Sequence, residues 1–367
     1  MADPRITKLA NVLVDYSVSV QPGDWVMINA HTLAEPLTEQ VLKAVLQAGG
    51  NPTLLLSSDV LEETYLRFSD QDQLQWISPT TEMLFRQADV RIAIMAAENT
   101  RNLSNIDPQK EQLRQRAFHH LMELFLNRAA EGDVRWTLTQ YPCQAYAQDA
   151  EMSLGEYQDF LHAATFTDRE DPVRHWQELH EQQQKAVDWL KGKKEVSLKS
   201  PHADLTLSIE GRTFINSDGK NNMPSGEIFT GPVEDSAQGW VNFTYPAIMH
   251  NREVSGVRLD FQEGKVVKAS AEKNEDFLHT MLETDPGASY LGEFAIGTNY
   301  GIQKFTKSIL FDEKIGGTFH LALGAGYPET GSRNTSGIHW DLICDIQENS
   351  EIRVDGELLY QDGQFMI

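Results

Sequence analysis

The sequence predicts an α/β N-terminal domain with a parallel sheet over residues 1–192, followed by a β-rich α+β C-terminal domain over residues 193–367. Three observations support this. DWVMINA, AEPLTEQVLKAVLQAGG and NPTLLLSS succeed one another within residues 24–57 as apolar strand, amphipathic helix and apolar strand. A long amphipathic helix, PVRHWQELHEQQQKAVDWLK, closes the first stretch at 172–191. After the GKK that follows it, the chain becomes short strands separated by turns.

The first unit has helical spacing between its strands, with Leu37, Val41, Ala44, Val45 and Ala48 on one face and glycines at its end. Strand, helix and strand within about 35 residues fit a parallel crossover. DVRIAIMAAEN at 89–99 and VRWTLTQYP at 134–142 add two more strands, and DPQKEQLRQRAFHHLMELFLNRAA adds a helix between them. Neither GxGxxG nor GxxxxGK[ST] occurs, so there is no nucleotide-binding fingerprint. From residue 195, EVSLKS, ADLTLSIEG and VRLDFQEGKVVKASAE read as strands, with one helix inserted at 274–284.

Composition bounds the function. The 367 residues are 40% apolar, enough for two sizeable cores, and the formal charge is −23 (31 basic against 54 acidic residues). That balance excludes a nucleic-acid binder, which needs basic patches, and disfavours anionic membrane surfaces. It attracts cations. The two cysteines, Cys143 and Cys344, imply no disulfide framework, and a reduced cytoplasmic setting is the expectation. The opening MADPRITKLANVLVDYSVSV lacks the pattern of a signal peptide, and no run approaches the ~18 apolar residues of a membrane span.

The chemistry concentrates in the second half. His339 and Asp341 stand two apart in a strand-like segment, so their side chains share a face. His320 lies in the apolar strand TFHLALG. Glu227 follows a Pro-Ser-Gly turn and precedes Ile-Phe, and Glu293 is set in LGEFAIG. Each has a plainer reading: a hydrogen-bonded core histidine, a pair on an edge strand, or a glutamate paired with a lysine or arginine. Together they make a ligand set sufficient for two divalent ions, since imidazole and carboxylate suit zinc, cobalt or manganese. His119 and His120 diverge on a helix and read as surface, as do His175 and His180. Ser332 and Ser336 lie in no GxSxG elbow, no HExxH occurs, and Cys344 reads as a packed thiol.

The blocks NMPSGEIFTGPVEDSAQGWVNF, LGEFAIGTN, LFDEKIGGTFHLALGAGYPETG and SGIHWDLICD resemble the thermophilic metalloaminopeptidases, the aminopeptidase T group of dinuclear exopeptidases. The resemblance extends over essentially the full chain and is weaker before residue 180. It implies metal ligands at Glu227, Glu293, His320, His339 and Asp341, and an active-site tyrosine at Tyr327. It implies a catalytic C-terminal domain, two divalent metal ions (zinc, cobalt or magnesium), short peptide substrates, an enclosed cavity and a homodimer. Within it, Glu293 is the expected bridge and first suspect for general base. Glu227 and Asp341 are expected at one ion, and His320 and His339 at the other. The segment between His320 and His339 is shorter than the family pattern, so loop 328–337 is expected to shape substrate preference differently. Two alternatives stay open. An amidase or phosphoesterase would use the same ligands, the latter with cations such as Lys314 or Arg333. A non-catalytic protein with structural metal would favour cysteine ligands, which this chain lacks.

Overall fold

The computed structural model describes residues 3–250 and 252–367. They form two compact units, Met1–Val173 with Gly219–Pro224, and Arg174–Asp218 with Ser225–Ile367. The helix Pro172–Leu190 therefore runs almost wholly in the second unit.

The first unit is built on a parallel sheet. Its strands are β1 (Trp25–His31), β2 (Asn51–Ser57), β3 (Val90–Met95) and β4 (Arg135–Gln140), in the order β2-β1-β3-β4, with a short fifth strand Asn222–Met223 beside β4. Helix α1 (Glu35–Gln47) links β1 to β2, and α2 (Pro108–Ala130) links β3 to β4. β1 and β3 are central, and their nearly continuous apolar runs are what burial on both faces demands. β2 lies at the edge: Leu54 and Leu56 are 41% and 58% exposed despite the run of three leucines. Leu37, Val41, Ala44 and Val45 of α1 are buried as the spacing requires, whereas Ala48 lies beyond the helix and is half-buried.

The second unit holds two larger antiparallel sheets. One has eight strands, in the order 265–270, 258–262, 238–242, 203–208, 195–200, 351–354, 357–361 and 364–365. The other has five: β8 (His339–Asp345), β7 (Thr318–Gly324), β6 (Leu291–Gly297), β5 (Glu227–Thr230) and the short strand Ile215–Ser217, in that order. One buried cluster joins them, with Leu198, Leu205 and Ile352 from the first sheet and Phe294, Phe319 and Leu342 from the second. Among the described residues no helix is long and apolar enough to cross a membrane.

Candidate metal centre

β5 to β8 divide their side chains between two faces by the two-residue period of a strand. Ile228, Phe294, Ile296, Phe319, Leu321, Leu323, Trp340 and Leu342 enter the core. The other face carries Glu227, Glu293, His320, His339 and Asp341. Register fixes how they meet. Glu293 is opposite Ala322, which is opposite Asp341; Ala295 is opposite His320; Gly297 is opposite Glu227; Gly324 is opposite His339. The positions between the polar groups are thus alanine or glycine, and the five longer side chains lean over a shallow floor.

His320 Nε2 lies 3.7 Å from Glu227 Oε2 and 3.5 Å from Glu293 Oε1. His339 Nε2 lies 3.4 Å from both Glu293 Oε2 and Asp341 Oδ1. Two donor groups result, Glu227–Glu293–His320 and Glu293–His339–Asp341, each with its ligand atoms within 4.8 Å of one another. Glu293 belongs to both. This differs from the expected partition, which set Glu227 with Asp341 and His320 with His339. Strand order is the reason: β5 and β8 are separated by two intervening strands, roughly 14 Å at ~4.8 Å per step, so Glu227 and Asp341 serve opposite ends of the cluster.

The residues fit divalent cations. Glu227 Oε2 is buried without a hydrogen-bond partner, and Asp341 Oδ1 is buried with only His339 Nε2 at 3.4 Å, a costly state for carboxylate oxygens unless a cation meets them. His339 Nδ1 lies 2.7 Å from the Ala325 carbonyl, which can only accept, so Nδ1 holds the proton and Nε2 is free to ligate.

Glu313 and Lys314 complete the cluster, and neither was singled out as a ligand. Glu313 forms a third close group with His320 and Asp341. Lys314 is fully buried, with Nζ 3.3 Å from Glu227 Oε1 and in contact with Glu313 Oε1. Gly297 admits this segment: a Cβ there would stand 2.2 Å from the Ile315 carbonyl oxygen. Hydrogen bonds from Asn299 N–H to the Lys314 carbonyl (3.0 Å) and from Gly316 N–H to the Asn299 carbonyl (3.1 Å) pin it. Lys314 therefore neutralises carboxylates instead of pointing outward as an anion clamp, and Arg333 is exposed.

Burial and charge act against each other here. Burial pulls both imidazoles down, but neighbouring carboxylates outweigh it. Glu293 and Glu227 bring His320 up to about 9, and Asp341 with Glu293 brings His339 up to about 10. Burial pushes Asp341 up, and the two histidines more than reverse it, holding it at about 2. Burial raises Glu227, Glu293 and Glu313 above the carboxylate range; Lys314 opposes this at Glu227 and Glu313.

Tyr327 follows β7 in a loop and projects over the same face. Its ring is 5.3 Å from that of His339 and 5.5 Å from that of Phe229. The loop is firmly tied. Thr330 donates to the Tyr327 carbonyl through N–H (3.0 Å) and Oγ1 (2.6 Å), and its own carbonyl accepts from Thr213 N–H at 3.0 Å. Burial, then the charges of Glu293 and Asp341, push the Tyr327 phenol upward, so it stays protonated.

Residues set aside in the sequence fall away from this cluster. His119 and His120 are exposed, and His175 lies beside Glu178 on the surface. His180 is not merely solvated: its Nδ1 is 2.8 Å from Asp218 Oδ2. Cys344 is buried on the core face, and burial pushes its thiol up to about 12.

Comparison with known proteins agrees over the whole length. The family model described as thermophilic metalloprotease (M29) matches residues 2–365. Aminopeptidase 2 of Geobacillus stearothermophilus is 26% identical, over 99% of this chain and 95% of that protein. Aminopeptidase AmpS of Bacillus subtilis (strain 168) is 25% identical over 88% and 84%, and aminopeptidase T of Thermus thermophilus 24% over 98% and 95%. The solved structure of wild-type AmpT from Thermus thermophilus superimposes with a TM-score of 0.86 over 99% of both chains at 22% identity, which shows a shared fold.

Proposed function

The chain belongs to the thermophilic metalloprotease (M29) family and is a metalloaminopeptidase, and from that premise we propose that it removes the N-terminal residue of short peptides, with broad specificity, using two divalent ions. The observation that carries the two-ion reading is Glu293, whose two oxygens serve two separate donor groups. Glu227 and His320 would complete one ion's ligands, and His339 and Asp341 the other's. Zinc, cobalt and magnesium are the proposed metals. Bound there, the pair would supply Lewis-acid activation of a water and of the scissile carbonyl.

The free α-amine of the substrate would bind one of the ions, which an acylated terminus cannot do, and this is the basis of exopeptidase selection. The chain's own groups account for the rest. Tyr327, kept protonated, donates a hydrogen bond to the oxyanion as charge develops on the carbonyl oxygen. Glu293 stays the proposed proton acceptor for the attacking water, a role it would fill only with one oxygen released from its ion. The catalytic part is the second stretch, residues 193–367. A homodimer with an enclosed cavity and a cytoplasmic role in peptide turnover complete the proposal.

The test is release of leucine from a leucine-containing dipeptide by chelator-treated protein, with and without zinc, cobalt or magnesium. Activity should return with metal and vanish when the peptide N-terminus is acetylated. Release of phosphate from phosphoesters without release of leucine would overturn the proposal.

A further inference from the structure

We infer that Phe229, with Tyr327, forms the wall that receives the side chain of the substrate's N-terminal residue, and that this wall favours an apolar side chain. The inference rests on the aminopeptidase reading above and names a residue that determines its specificity.

Phe229 shares a face with Glu227, two residues before it on β5. Register puts it opposite Ala295, which is opposite His320, so it lies between the level of Glu227 and that of Glu293, one strand to the side. The floor beside it on β6 is the methyl of Ala295, which is fully buried and offers nothing that could grip a ligand. Phe229 is only half-buried, and Tyr327, 42% exposed, stands over it. Their rings, 5.5 Å apart and inclined at 60°, continue to His339 as an arc of three rings across the carboxylates.

An amino group held at the metal centre brings its α-carbon, and hence its side chain, within one residue's reach of that arc. The partly open carbon surface there is aromatic. A leucine or phenylalanine side chain leaves water against it, whereas glycine has nothing to place. Discrimination of this kind is worth roughly 10–200-fold in kcat/KM for a side chain of a few carbons.

The experiment compares kcat/KM for Leu-Gly, Phe-Gly and Gly-Gly in wild-type, Phe229→Ala and Phe229→Leu, each loaded with the metal that best restores wild-type activity. Calorimetric affinity for free leucine and free glycine is measured alongside. The expected result is a loss of about tenfold or more for Leu-Gly and Phe-Gly in Phe229→Ala, less than about twofold for Gly-Gly, and substantial recovery in Phe229→Leu. Leucine affinity should fall in parallel, with glycine affinity unchanged. An equal fall for all three peptides would mean that Phe229 only supports the fold, and an unchanged ratio would mean that the side chain binds elsewhere. Either overturns the inference while leaving the enzyme an aminopeptidase. Wild-type protein that cleaves none of these peptides with any metal would instead overturn the function on which the inference rests.

Discussion

Glu227 presents one carboxylate oxygen to Lys314, 3.3 Å away, and leaves the other buried without a hydrogen-bond partner. One side chain thus faces a resident cation on one side and a place for a second cation on the other.

Replacing Lys314 with Met should destabilise metal-free protein by about 3–5 kcal/mol, because Glu227 and Glu313 would lose a fully buried partner. Divalent metal should recover part of the loss, since a ligand that binds only the folded state stabilises it. Thermal unfolding with and without zinc checks this. A metal-free variant as stable as wild type would contradict the charge balance described here.

Glu293→Ala and His339→Ala should each lower turnover by a factor of 10³ or more with circular dichroism unchanged. Glu293 serves both donor groups and His339 one, so metal content should fall further in the former. Near wild-type turnover in either variant would remove the basis for the ligand assignment.

Tyr327→Phe should lower kcat by about 10²–10³ with little change in KM, the usual cost of losing one oxyanion donor. Bound metal, counted by elemental analysis, should stay at the wild-type level. A variant with wild-type kcat would show that the hydroxyl has no part in the reaction.

Metal binding should strengthen with pH. In metal-free protein His320 and His339 hold protons up to about 9 and 10, against an ordinary 6.5. Both pKa values are raised, so these protons stabilise the fold fully below pH 6.5, and that contribution is lost as pH climbs through 9 to 10. Ligation needs neutral imidazole, so uptake at pH 7.5 should expel the protons of both imidazoles, along with any held by the raised carboxylates. Calorimetry in two buffers of different ionisation enthalpy measures the number, and a value of zero would be incompatible with ligation by these histidines.

Where the sequence was legible, a strict period made it so. His339 and Asp341 were readable as a pair because two residues in a strand return to the same face, and β1 and β3 because unbroken apolar runs belong in the middle of a parallel sheet. The edge position of β2 was hidden, since Leu54 to Leu56 look like a central strand until the strand order is known. The grouping of ligands was hidden for the same reason: spacing along the chain does not tell which strands are neighbours. Tyr327 enters as a candidate through family likeness alone. Glu313 sits just after a short helix, outside any period, and its only trace is an acid-base pair, Glu313-Lys314, set between Leu-Phe-Asp and Ile-Gly-Gly. Lys314 reads in sequence as a possible anion clamp, but a lysine's partners are set by packing that its neighbours in sequence do not reveal. Phe229 carried no polar signal at all.

The alanine and glycine floor between the ligands has an implication for descent. Ala322 offers no side-chain donor or acceptor, yet it lies between Glu293 and Asp341, and every atom above it must fit in the height its methyl leaves free. Exchanging it for valine would crowd that space without disturbing the opposite face, on which the core depends. A lineage could therefore lose its chemistry in one step and keep its strand order and its core face, at a cost of about 1–3 kcal/mol for overpacking a buried site. Descendants of this fold that no longer cut peptides would be recognised less by missing histidines or carboxylates than by a bulkier residue beneath an intact set of them.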